Sequence, residues 1–402
     1  MKTLRINDPE LLKNPAPLLA EYRDQGPLVP AKIPFIGKCY LTTSDAGARE
    51  ILKDEDHFVR NPANAGGRDI SRYYWFLPPF MRPVARNILG LDGPEHKRLR
   101  SAVDTSFSRL SIDAIKPEMT AIANALLDTL KTDQTIDLSS KYANEFPLDI
   151  ISALLGIKEE MRRELAHAIA PISGPTTKMM FLRLMPGLYK SIKLLRAEIA
   201  HIRIEPRAGL LSELIHDDSN DLTDDEILSL AFTLFIAGHE TTRHLITDAI
   251  YALCETPQDR QIFTEGSIAE RSAAIEEYMR FFSPVMVTKP LFVCEDYSFH
   301  GYPLKQGDKV MALLISANHD PARFDASEKI DIARRPNAHL GFGFGPHVCL
   351  GMQLARAETQ IALTQLFDRF PNLERVPKNA APDFTTRLGM RGMKTLNVRL
   401  VP

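Results

Sequence analysis

The stretch FGFGPHVCLG, residues 342–351, surrounds the thiol of Cys349 with three glycines and one histidine. Directly after it, from Leu354 to Phe370, apolar residues recur every three to four positions until Pro371. This spacing predicts a helix that begins just after the cysteine. Cys349 is therefore expected where a glycine-rich loop enters a helix N-terminus, whose unpaired N–H groups favour a thiolate over a thiol.

A cysteine in this setting is open to three interpretations. A lone cysteine is most often a small buried apolar side chain, but the surrounding glycines and histidine argue against that here. A nucleophilic cysteine needs a base, and His347 lies two residues away. A thiolate can also bind a metal, and glycines let the backbone approach a flat cofactor closely.

Residues 222–257 predict a second, unusually long helix. Thr223 and Glu226 form a capping box at its start, and Pro257 ends it, which gives about thirty residues. The sequence is apolar enough for this helix to run through the middle of the protein.

The centre of that helix reads AGHETT, residues 237–242. Charged and hydroxyl groups inside an apolar helix are costly unless they are used. Gly238 weakens the helix locally, and a Thr241 hydroxyl that bonds one turn back is expected to widen it. An acid beside an alcohol at such a point can relay protons into a pocket.

The bulk properties exclude several classes of protein. The chain has 402 residues, a net charge of −2 and both signs of charge along its length, so nothing indicates a nucleic-acid partner. Its four cysteines are far apart, which favours neither a CxxC metal pair nor a disulfide framework. The N-terminus lacks a signal peptide's apolar core, and no apolar run could span a bilayer. We predict a cytoplasmic protein without a membrane anchor.

The remaining pattern predicts a mainly α protein with small β-sheets. Residues 28–45 are expected to form a hairpin, and residues 284–315 return to strand patterns. The intervening sequence is mostly helical, with a break expected at Pro186-Gly187. TLNVRLVP, residues 395–402, predicts a closing strand. Because no repeat or linker is found, residues 1–402 are expected to form a single domain.

A third signal is the pair Glu277 and Arg280, which share one helix face. With FGFGPHVCLG after it and AGHETT before it in the sequence, it makes the chain resemble the cytochrome P450 family of haem-thiolate monooxygenases. The three stretches are similar to the family's ExxR pair, haem-binding loop and oxygen-activation motif. Arg334 is similar to the arginine that completes the ExxR network, and residues 93–108, GPEHKRLRSAVDTSFS, are similar to helix C.

The resemblance implies a cytochrome P450 fold that holds haem b, iron protoporphyrin IX, between the long central helix and the helix after the cysteine loop. Cys349 is then the iron ligand, as in the family generally. The other cofactor-binding residues that it implies are His96, Arg100, Ala237, Gly238, Phe342, Gly343, His347 and Gly351. Of these, His96, Arg100 and His347 are expected to pair with the haem propionates. Where the family often adds an arginine, this chain offers Lys289.

Two further groups of residues receive roles from the resemblance. Glu240 and Thr241 are the implied catalytic pair, which delivers protons during oxygen activation. Glu277, Arg280 and Arg334 are expected to be structural, as a buried network that fixes the cysteine loop.

The family's substrate pocket lies above the haem, and this chain places apolar residues there. The implied lining residues are Phe76, Leu77, Phe80, Leu234, Val285, Val287 and Met390. They predict a hydrophobic small-molecule substrate, such as a terpenoid, steroid, fatty acyl or polyketide-like molecule. The chain has no flavin or iron–sulfur motif, so a ferredoxin-type partner is expected, docking near Lys97, Arg98, Arg109 and Arg356.

Three other functions remain open at this point. The same fold could run on peroxide, or bind haem and a small ligand without turnover, but neither needs the acid–alcohol pair Glu240 and Thr241. A cysteine hydrolase using Cys349 and His347 predicts no haem and leaves the polar centre of the long helix unexplained.

Overall fold

The computed structural model describes residues 2–69, 78–132, 134–170, 180–217, 219, 221–378, 381–385 and 387–401. Helices dominate these residues. Their bounds are α1 Pro9–Lys13, α2 Pro15–Arg23, α3 Asp45–Lys53, α4 Arg82–Ala85, α5 Gly93–Arg109, α6 Ile112–Asp128, α7 Glu145–Leu155, α8 Glu159–Ile169, α9 Met180–Ile204, α10 Leu210–His216, α11 Asp224–Glu255, α12 Pro257–Glu265, α13 Ile268–Phe282, α14 Leu314–Asn318 and α15 Met352–Arg369.

The strands are short and form small sheets. Their bounds are β1 Leu28–Ile33, β2 Gly37–Thr42, β3 Phe58–Val59, β4 Thr135–Asp137, β5 Leu291–Val293, β6 Tyr297–Phe299, β7 Tyr302–Leu304, β8 Lys309–Met311, β9 Glu374–Arg375 and β10 Asn397–Arg399. Within the described residues, β1-β2-β8-β5-β3 form one sheet, β4-β10-β9 a second and β6-β7 a two-stranded ribbon. The mainly α class with small sheets is confirmed.

Local predictions agree with these elements in most places. β1 and β2 form the expected antiparallel hairpin, with Ala31 opposite Cys39. The closing strand is β10, which pairs with both β4 and β9. Residues 284–315 are only partly strand: β5 to β8 cover the middle, whereas α14 begins at Leu314.

The expected break at Pro186-Gly187 is wrong, because α9 runs continuously through both residues. Proline in a helix removes one backbone hydrogen bond, but tertiary packing can stabilise the helix around it. Gly187 lies so close to α8 that an added Cβ would collide with the carbonyl oxygen of Ala168. The glycine therefore allows two helices to pack closely rather than ending one of them.

The central helix α11 has 32 residues and the predicted capping box between Thr223 and Glu226. It packs against α7, α9, α13 and α15, and most of its side chains from Leu245 to Leu253 are buried. Residues 237–242 are helical throughout, and the local widening at Gly238 stays a prediction.

Among the described residues, no helix is long and apolar enough to cross a membrane. The cytoplasmic location and the single-domain organisation stay predictions.

Candidate functional site

The cysteine loop is held by its own backbone. The N–H of Cys349 donates to the carbonyl of Phe342 over 2.8 Å, and the N–H of Gly343 donates to Leu340 over 2.8 Å. Gly343 and Gly345 have φ angles of 74° and 71°, where side chains other than glycine are strained. Because of these turns, Cys349 lies three residues before the first residue of α15.

Cys349 combines exposure with a crowded environment. Its side chain is exposed, yet burial raises the pKa of its thiol, opposed by the Gly351 N–H and by Arg100 and Arg356. The thiol therefore faces an internal space that is lined by protein. Ala237 is likewise exposed, although it lies at the centre of α11. Since α11 packs against α15, both residues border the space between the central helix and the cysteine loop.

One edge of this space gathers basic side chains. The rings of His96 and His347 lie 4.0 Å apart, and Arg100 donates to the carbonyl of Val348 over 2.7 Å. Burial lowers the pKa of His347 to about 2, with further lowering from Arg60, His96, Arg100 and Lys289. Basic groups that depress one another in this way favour an anionic ligand beside them.

These features fit a haem. Its two carboxylates would meet the basic edge, and Gly351, where an added Cβ would meet nothing within 4 Å, leaves room for its face. No group of three or more metal-ligating side chains exists among the described residues. The hydrolase alternative receives no support, since the ring of His347 packs on that of His96.

The acid and the alcohol of AGHETT have different surroundings. The Thr241 hydroxyl donates to the carbonyl of Ala237 over 2.7 Å, as the sequence predicted. The Glu240 side chain is buried, forms an ion pair with Arg387 and lies 3.9 Å from the Nε2 of His244. Gly238 points towards α7, where an added Cβ would lie 3.0 Å from Ile151, so its small size serves helix packing.

Glu277, Arg280 and Arg334 meet in one buried network. Arg280 donates to both oxygens of Glu277 over 2.8 and 2.7 Å, and Arg334 donates over 3.1 Å. The second guanidinium end of Arg280 reaches the carbonyls of Asn318 and Ser327. The network thus joins α13 to the segment that leads into the cysteine loop.

The predicted pocket residues are brought together in part. Val285 and Met390 form an isolated β-bridge, and Val287 lies against Gly389 beside Met390. Leu234 lies on α11 one turn before Ala237, and Phe80 packs edge-on against Tyr189 at 5.0 Å. Phe76 and Leu77 lie outside the described residues.

Three of the four cations expected to attract a redox partner are already paired with acids. Arg98 pairs with Glu226, and Arg109 pairs with both Glu213 and Asp217. Arg356 holds Glu276 through two donors, over 2.6 and 2.7 Å. A docking face built from these residues is therefore weaker than the sequence suggested.

Sequence reasoning missed three residues at this site. Arg60 lies in the basic edge, and Arg387 holds Glu240; neither belongs to a motif that predicts such contacts. Glu358, on α15, is fully buried, and burial raises its pKa well above the usual range, with Thr242 opposing. Of these three residues, only Glu358 could have been identified from the sequence, because it is an acid on the apolar stripe of α15.

The comparisons with known proteins agree with this geometry. The family model described as Cytochrome P450 matches residues 271–400. The polyketide biosynthesis cytochrome P450 PksS of Bacillus subtilis is 30% identical over 97% of this chain and 97% of its own. Its solved structure gives a TM-score of 0.87 at 28% identity and covers 99% of this chain and 100% of that one.

Two other related proteins are also similar to this chain over most of its length. The vitamin D(3) 25-hydroxylase of Pseudonocardia autotrophica is 32% identical over 90% of this chain and 87% of its own. The solved structure of the myxobacterial cytochrome P450 CYP267B1, in complex with myristic acid, gives a TM-score of 0.89 at 28% identity and covers 99% of each chain.

The fold and the cysteine loop together define a haem-thiolate monooxygenase. The chain belongs to the cytochrome P450 family.

Proposed function

We propose that this protein uses haem b and dioxygen to hydroxylate or epoxidise a hydrophobic small molecule, with electrons from a separate ferredoxin and reductase. The observation that carries the proposal is the exposed thiol of Cys349 at the start of α15, facing the centre of α11 beside a basic edge. When bound through this thiolate, the haem supplies the redox centre at which oxygen is activated.

The cysteine loop holds the cofactor in this proposal. Cys349 provides the thiolate, and the N–H of Gly351 stabilises the charge on its sulfur. His96, Arg100 and His347 bind the propionates at the basic edge. The ring of Phe342 lies 4.9 Å below the guanidinium of Arg356, and its carbonyl accepts from the Cys349 N–H, so it fixes the loop beside the sulfur.

Glu240 and Thr241 move protons in this proposal. The ion pair with Arg387 turns the Glu240 carboxylate towards residues 387–393, whereas Ala237, which accepts from the Thr241 hydroxyl, borders the space above the cysteine loop. Transfer from Glu240 to Thr241 therefore requires that the pair with Arg387 opens. Glu240 is buried, whereas Thr241 is only half-buried and lies at the boundary of the space above the cysteine loop.

A hydrophobic substrate is supported by the pocket and by the relatives. Val285, Val287 and Met390 present apolar side chains from two adjoining segments. The names of the related proteins mention polyketide biosynthesis, vitamin D(3) and myristic acid. Vitamin D(3) and myristic acid are both largely apolar molecules. We extend that class, and no single substrate, to this chain.

The reduced protein exposed to carbon monoxide provides the first test. A strongly red-shifted Soret band is expected, because a thiolate ligand donates electron density to the iron. A band of the histidine-ligated type, or failure to take up haem, would overturn the proposal.

The proton-delivery roles need a separate experiment. With a ferredoxin, its reductase and myristic acid as the probe substrate, E240Q and T241A are expected to divert about tenfold more electrons to hydrogen peroxide than the wild type. Both variants should keep the thiolate-type carbon monoxide band. Unchanged peroxide yield in both variants contradicts these roles and favours use of peroxide instead.

A further inference from the structure

Arg60 is fixed at the basic edge by its backbone. It follows β3 directly, and its N–H donates to the carboxylate of Asp92 over 2.7 Å. Asp92 also accepts from the N–H of Asn61 over 2.7 Å and immediately precedes α5, the helix that carries His96 and Arg100. The position of Arg60 is therefore tied to the helix that bears two of the predicted propionate ligands.

The guanidinium of Arg60 is buried and incompletely bonded. The residue is 6% exposed. One of its N–H groups donates to the backbone carbonyl of Lys289, but its Nε has no hydrogen-bond partner among the described residues. Burial lowers the pKa of Arg60 to about 10, opposed by Asp92. A buried guanidinium with an unused donor is costly unless another group accepts from it.

Lys289 does not fill this role. Its ammonium already donates to the side-chain oxygen of Asn87 over 3.1 Å, and it cannot offer the planar fork of donors that a guanidinium has. Burial lowers the pKa of Lys289 to about 8, and Arg60 lowers it further. Arg60 therefore lies against the backbone of residue 289 and brings a guanidinium beside the ammonium of Lys289.

We propose that Arg60 binds a carboxylate of the haem through its unused Nε. The inference rests on the proposed haem site. The unused Nε and the neighbouring His96, His347 and Arg100 form the anion-binding edge, and Arg60 provides a fork-shaped donor that lysine cannot provide.

Variants at residue 60 test this. R60Q keeps a donor for the Lys289 carbonyl but loses the charge, R60K keeps the charge but loses the fork, and R68Q removes an exposed arginine from the same segment as a control. The rate of haem transfer to excess apomyoglobin is measured for each. R60Q is expected to release haem about ten- to a hundredfold faster, the factor for one lost charge-assisted hydrogen bond, with R60K intermediate and R68Q unchanged.

Two further measurements separate this role from a structural one. The haem-free R60Q protein should melt at or above the wild-type temperature, because a buried cation without its ligand is destabilising. The reduction potential of haem-loaded R60Q should be lower, since losing a nearby positive charge favours the oxidised iron.

Haem release at the wild-type rate from folded R60Q overturns the inference, as does an equal loss of melting temperature with and without haem. Should R60Q fail to fold, R60K gives the same comparison with a smaller effect. A wild-type protein that takes up no haem overturns the proposed function and this inference together, whereas normal loading with unchanged release in R60Q overturns this inference alone.

Discussion

Glu277 accepts hydrogen bonds from Arg280, Arg334, Asn337 and the N–H of Asp331. Because the carboxylate and Arg280 are fully buried, E277Q leaves buried cations without their partner. We expect a loss of about 3–5 kcal/mol in the free energy of unfolding, measured by urea titration.

Glu164 offers the matched control, since its pair with Lys190 is on the surface. E164Q is expected to change the free energy of unfolding by about 0–1 kcal/mol. Equal effects of E277Q and E164Q would show that the Glu277 network contributes little to stability.

Asp248 makes stability depend on pH. Burial raises its pKa to about 7 from the ordinary 3.8, opposed by Arg391 and the N–H of Met393. The unfolded chain releases this proton near the ordinary pKa, whereas the folded protein keeps it until about pH 7. The free energy of unfolding therefore falls as pH rises between these values, by about 1.4 kcal/mol per unit.

D248N removes this contribution. The variant is expected to match the wild type near the ordinary aspartate pKa and to be more stable than the wild type above pH 7, as measured by urea unfolding across that range. The same pH slope in both proteins would contradict a raised pKa at Asp248.

At the scale of elements, the glycines of the cysteine loop differ in backbone conformation and in the space around them. Gly345 has a positive φ and lies so close to α3 that an added Cβ would collide with the carbonyl oxygen of Leu52. Gly343 has a positive φ but more room, and Gly351 has neither restriction. The haem-free proteins are therefore expected to lose most stability in G345A, about 1–3 kcal/mol in G343A and almost none in G351A.

If Gly351 faces the cofactor, G351A weakens haem binding even though it leaves the stability of the haem-free protein unchanged. G351A should melt like the wild type without haem but bind haem more weakly, measured by titration of the haem-free protein. Normal haem binding by G351A would remove Gly351 from the proposed site.

The elements that local sequence specifies were predictable. The capping box of α11, the apolar stripe of α15 and the hairpin β1-β2 each depend on residues within one segment. They can therefore be predicted from the local sequence, without knowledge of tertiary contacts. The break predicted at Pro186-Gly187 was wrong because packing against the preceding helix α8, which the local sequence does not reveal, allows α9 to continue.

The side-chain partners of the site were less predictable. Arg387 lies 147 positions from Glu240, and Arg60, just after β3, donates to residue 289, just before β5. No spacing rule connects such residues, because the fold rather than the local pattern brings them together. A resemblance could identify Cys349 and Glu277, whose motifs are local, but not these two arginines.

At the scale of the molecule, Arg391 joins distant parts of the chain. It donates to the carbonyl of Leu12 over 2.8 Å and to that of Phe282 over 2.8 Å, and its guanidinium lies 4.7 Å from the ring of Phe384. R391K keeps the charge but cannot reach all of these acceptors at once. We expect a loss of about 1.5–3 kcal/mol for each hydrogen bond that is broken.

Hydrogen exchange locates this effect. In R391K the amides of α1 and of the end of α13 should exchange faster, whereas those of α6 should not change. R5K, at an exposed arginine near the N-terminus, is the control. Uniformly faster exchange would show a general loss of stability instead of a local connection.

The contact between Leu12 and Arg391 also sets an order of events during synthesis. The N-terminal helices are made before their partner Arg391, and β4 is made before β10, with which it pairs. Arg387, which holds Glu240, belongs to the same late segment. The contacts of the N-terminal helices and of β4 therefore form only after residues 387–399 have been synthesised, and the same holds for the final setting of Glu240.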